Sequence, residues 1–97
     1  MENQKPQMNT LQVGEQFKVL EVIGVPNSDM PLHYCTSEAV LIIHVGRAIL
    51  TMDNFEKEMK LGMSVIIPAK KEHSLKIIDS VKAYVVIARD ATIEFAQ

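Results

Sequence analysis

Pro31-Leu32-His33-Tyr34-Cys35 running on to Gly46, and Gly62-Met63-Ser64-Val65-Ile66-Ile67-Pro68 running on to His73, decide the fold of this 97-residue chain. Each stretch sets a histidine beside a run of β-branched and aliphatic residues and is bounded by glycine or proline. Such runs suit a pleated, half-buried surface. Gly46 and Gly62 can take positive φ without steric cost, and Pro68 ends a strand because it has no N–H for the ladder.

Outward from these two stretches the same punctuation continues. Short runs rich in valine and isoleucine, broken at close spacing by turn signals, indicate an all-β sandwich or barrel. Strands are expected near 17–23, 32–35, 39–45, 47–52, 56–61, 64–67, 74–78, 82–89 and 92–95. No stretch carries helical spacing. Asp53-Asn54 suits a tight hairpin, and Pro26-Asn27-Ser28 reads as a loop. Residues 1–10 are polar and aperiodic and are expected to form a mobile tail, with one domain over 11–97. A chain of this length supports a single modest core.

Composition excludes several partners. Ten basic and twelve acidic residues give a net charge of −2 spread along the chain, with no basic stripe to hold a phosphate backbone, so nucleic acid is not expected. No apolar run approaches the roughly 20 residues needed to span a bilayer. The single cysteine, Cys35, has no partner for an internal disulfide, and 1–7 lack the apolar core of a signal peptide. A cytoplasmic setting is therefore expected.

Two runs depart from alternation. Ala39-Val40-Leu41-Ile42-Ile43-His44-Val45 and Tyr84-Val85-Val86-Ile87-Ala88 are apolar on both strand faces, whereas a small antiparallel sheet ordinarily leaves one face to water. A two-fold homodimer pairing the same outer face of two copies is the simplest cover; the N-terminal segment folding over that face is the alternative.

The two quoted stretches resemble the paired motifs of the cupin family of small jelly-roll barrels. The second motif, Gly-x5-Pro-x-Gly-x2-His-x3-Asn, falls on Gly62, Pro68 and His73, with Lys70 at its inner glycine and Ile77 at its asparagine. The first, Gly-x5-His-x-His-x3or4-Glu-x6-Gly, falls on His33 and Gly46, with Asn27 at the opening glycine, Cys35 at the second histidine and Ala39 at the glutamate. The resemblance implies a double-stranded β-helix, and in the full motif a metal (iron, manganese, nickel or zinc) held by three histidines and a carboxylate. Of those positions only His33 and His73 keep their donors.

Strand parity sharpens the comparison. If His33, Cys35, Ser37 and Ala39 face the interior, then Glu38 and His44 face out, so Glu38 does not replace the lost carboxylate. The metal set the resemblance leaves is His33, His73 and Cys35, a softer set than the family's own. Without metal the same residues are the polar points of a pocket for a small molecule. Met30, Met52, Met59 and Met63 read as adaptable core filler. A catalytic cupin would be expected to keep its carboxylate, so the residues favour a small-molecule-binding barrel with no catalytic residue assigned. A metal-dependent dioxygenase, isomerase or decarboxylase using His33, His73 and Cys35 is the competing reading, and a closed structural module is a third.

Overall fold

The computed structural model describes residues 5–96. Eight strands follow in chain order: β1 (Gln7–Val13), β2 (Phe17–Gly24), β3 (Asp29–Cys35), β4 (Ala39–Met52), β5 (Phe55–Lys60), β6 (Ser64–Ile67), β7 (His73–Ala88) and β8 (Ile93–Phe95). All pairings are antiparallel. There is no helix among the described residues.

β4 and β7 carry the architecture. They run side by side from Ala39 opposite Ile87 to Met52 opposite His73. The first part of β4 also pairs with β6, its second part with β5. The later part of β7 pairs with β2, and its beginning with β3. Each long strand therefore serves both walls of a curled sheet. Each was expected as two strands, 39–45 with 47–52 and 74–78 with 82–89. The register shifts between Ile43 and Ala48 instead absorb the bend within continuous strands, as bulges do at barrel corners. At the bend Gly46 has φ 88°, and a Cβ there would overlap the Ser80 carbonyl oxygen.

The bend fixes side-chain parity on both sides. Ala39, Leu41 and Ile43 point inward before it, Ala48 and Leu50 after it, and all five are buried. From β7, Leu75, Ile77, Val81, Ala83 and Ile87 meet them across the core. Arg47 sits outside the corner, its Nε donating to Asp79 at 2.7 Å and its Nη1 to Glu58 at 2.9 Å. That network is exposed, so it adds little stability.

The expected tail is corrected at residues 7–10, which belong to β1 and pair with β2 from Gln7 opposite Ile23 onward. Its polar sequence hid it, because an edge strand can leave most side chains in water; only Met8 of this segment packs against the core. Residues 1–4 lie outside the described residues. β1 extends the sheet at its edge and does not lie over the outer face, so the N-terminal cover considered from the sequence is not formed among the described residues. Glu38 and His44 are exposed, as parity required, and the His44 ring lies 5.8 Å from that of Tyr84.

Candidate functional site

His33 reaches the interior through an irregularity in β3. Met30 and His33 both point inward although three residues apart, which strict alternation forbids. The register shift between them, at Pro31 and Leu32, supplies the extra residue that turns the ring in. From His33 onward alternation resumes and Cys35 follows on the same face, buried. His73 opens β7 directly opposite His33 in the ladder. Lys70, standing at the family's glycine, adopts φ 64°, and Asn27 at the other substituted glycine adopts φ 68°. The backbone course that glycine usually supplies is thus kept at both places by other residues.

The two rings stack at a tilt, with centroids 4.2 Å apart and planes at 60°, and they are only 5% and 6% exposed. Each Nδ1 lies against a carbonyl: His33 against Pro31 at 2.7 Å and His73 against Lys71 at 2.9 Å. A carbonyl oxygen only accepts, so Nδ1 carries the proton in both rings and each Nε2 presents a lone pair. Burial lowers the His33 pKa to about 4, opposed by the Pro31 carbonyl and reinforced by the neighbouring His73. Burial lowers His73 likewise, against the Lys71 carbonyl. Both imidazoles are therefore neutral at pH 7.

The rings, with Cys35, line a cavity of about 40 Å³ inside the barrel. Its remaining wall is hydrocarbon and thioether, including Met8, Met30, Leu41, Leu75 and Ile93. Phe95 of β8 packs 5.4 Å from the His33 ring, and Lys5 lies 4.9 Å from the centre of the Phe95 ring. The structure thus brings together the three pocket residues expected from the sequence. The ligand trio His33, His73 and Cys35 is not gathered into one cluster. Among the described residues no group of three or more His, Cys, Asp and Glu side chains converges on a point, and the Cys35 Sγ lies 3.8 Å from the Ser37 hydroxyl. Two protein donors fall short of the three that a catalytic transition-metal site uses, so the residues present do not fit the family's resident metal.

Sequence reasoning missed three contributors. Met8 lay in the presumed tail, and the Pro31 and Lys71 carbonyls are backbone groups that leave no trace in side-chain identity. The Lys71 Nζ holds Asp53 at 2.9 Å, joining the β6–β7 loop to the β4–β5 hairpin.

No protein-family model matches the chain. An uncharacterized protein from Methanocaldococcus jannaschii is 41% identical over 69 residues, a match covering 70% of this chain and 55% of that protein; the chain thus spans about half the length of this curated relative. Among solved structures, an RmlC-like cupin family protein with a double-stranded β-helix fold, also from M. jannaschii, superposes with a TM-score of 0.77 at 25% identity, covering 88% of this chain and 81% of that one. The polyketide cyclase RemF from Streptomyces resistomycificus superposes at 0.83 with 17% identity, over 96% of this chain and 72% of that one. The chain is a small cupin-type domain, an all-β double-stranded β-helix. Its fold neighbours include enzymes.

Proposed function

We propose that this barrel binds a small molecule in its central cavity and that it does so without a resident metal, as a sensing or accessory domain rather than as an enzyme. The observation that carries this reading is the neutral His33–His73 pair, whose Nε2 atoms open into an otherwise apolar cavity. Among the described residues no buried side-chain nitrogen or oxygen lacks a partner. Neither Nε2 has a hydrogen-bond partner among the described residues, so neither is one of those fully buried atoms and each is within reach of a water-sized occupant. About 40 Å³ has room for about three waters, hence for a ligand fragment of similar size. A ligand of three non-hydrogen atoms gains at most about 4.5 kcal/mol, which is millimolar affinity. The pocket suits an abundant small metabolite or the buried end of a larger one.

Methyl NMR resonances of Leu41, Leu50, Leu75 and Val85 report on the cavity directly. A panel of fragments of this size at tens of millimolar is expected to shift them saturably, and the shifts are expected to vanish in Ala39→Leu, which fills the space. A panel that leaves every cavity methyl in place would refute the reading.

The second element of the proposal is a partner: a second copy of this chain on the outer face of the sheet built from β2, the end of β7, the start of β4, and β6. That face exposes Phe17 (60%), Ile66 (61%) and Ile42 (36%). Glu21 and Lys82 on this face neutralise one another at 3.6 Å, and Glu38 stands beside Phe17 and Val86. Two copies related by a two-fold axis then meet largely apolar on apolar.

A further inference from the structure

We infer that the cavity selects an uncharged hydroxyl compound, a short alcohol or diol, and rejects anions and molecules that can only accept hydrogen bonds. The inference rests on the small-molecule reading above and concerns the polarity of its occupant.

The selection follows from where the protons are. The Pro31 and Lys71 carbonyls fix one N–H on each ring at Nδ1, and a neutral imidazole has no second one to offer. Both nitrogens facing the cavity are therefore acceptors. Turning either into a donor means making an imidazolium inside an apolar wall, with a second imidazole whose ring centroid is 4.2 Å away; that costs desolvation and, for both together, repulsion. The rest of the lining gives nothing to an anion. Among the described residues no lysine, arginine, amide or hydroxyl side chain lines the cavity, and beyond the Met8 and Met30 thioethers the remaining heteroatom is the weakly donating Cys35 sulfur. A carboxylate would be buried without a counter-charge, and a bare acceptor would leave two imidazole lone pairs and its own unpaired. An ammonium would meet acceptors but no carboxylate to balance its charge. A hydroxyl group donates to one Nε2 and lays its alkyl part against Met30, Leu41 or Ile93. A second hydroxyl, or a retained water, serves the other ring. The structure assigns both histidines the role of hydrogen-bond acceptors for this occupant.

The test uses the whole wild-type chain with histidine labelled in ¹⁵N, titrated at neutral pH with ethanol, acetonitrile or acetate. Ethanol and acetonitrile have the same number of non-hydrogen atoms and differ in the donor. Ethanol is expected to shift at least one Nε2 resonance saturably, while acetonitrile binds at least about tenfold more weakly and acetate not at all. If acetonitrile moves the cavity methyls at the same concentrations as ethanol, the donor rule is overturned and the pocket stands. If acetate binds, the rule is likewise overturned. If no probe moves either set of resonances, the rule and the pocket fall together. The comparison is made on wild-type protein, so it does not depend on a variant that fails to fold. Ala39→Leu, where it folds, is expected to abolish the ethanol response.

Discussion

His33 and His73 act in this barrel as buried neutral bases, and their pH dependence follows from that. A histidine held below its ordinary pKa binds its proton more readily in the unfolded chain than in the fold. Its stabilising contribution is complete above pH 6.5 and is lost as pH falls through the folded value, about 4 for His33; His73 adds in the same direction. Chemical denaturation between pH 7 and pH 4 should show stability falling by about 2 to 3 kcal/mol from His33, and His33→Phe should flatten that slope. An unchanged slope in the variant would place the titration elsewhere. Residue identity made much of this pair legible: the spacing Gly62, Pro68, His73 located one ring, and parity from His33 through Ala39 sent Glu38 outward. The hidden part was backbone. Nothing in the sequence announces that the Pro31 and Lys71 carbonyls fix the tautomers, and the bulge beside Pro31 is what aims His33 at the core.

At the scale of the element, β4 and β7 hold the site in place by bending together at one corner. Gly46 needs positive φ and leaves no room for a Cβ against Ser80, whereas Gly62 needs positive φ but has open space around it. Gly46→Ala is therefore expected to cost about 3 kcal/mol or more, from strain plus the displacement of Ser80. Gly62→Ala should cost about 1 kcal/mol, from strain alone. Thermal unfolding of the two variants compares them; equal losses would mean that the corner is not tightly packed. The strand content of 17–95 was readable because valine and isoleucine runs alternate between turn residues. The joining of four short strands into two long ones was not, since a glycine reads the same at a bulge as at a turn. β1 was missed for a related reason: an edge strand held by backbone pairing does not need an alternating apolar pattern.

At the scale of the whole molecule, the runs apolar on both faces, 39–45 and 84–88, were visible in the sequence, and the fold leaves their outer side open. The second copy proposed for it makes the protein a dimer at micromolar concentration. Sedimentation velocity should return twice the chain mass for the wild type and one chain mass for Ile42→Lys, a surface change that leaves the core intact; a monomeric wild type would remove the dimer. The fold was legible because the second motif keeps Gly62, Pro68 and His73 in register. The chemistry was not, because Cys35 and Ala39 stand where donors belong, and only the geometry shows that the thiol is not gathered into a third ligand. The central claim, a ligand pocket in place of a metal centre, is tested most directly by metal retention. Tag-free protein is incubated with equimolar iron(II), manganese, nickel or zinc, passed through a desalting column and measured for metal. The expected result is far less than one ion per chain, the same in wild type and His73→Ala. One ion retained per chain by the wild type and lost in His73→Ala would contradict it.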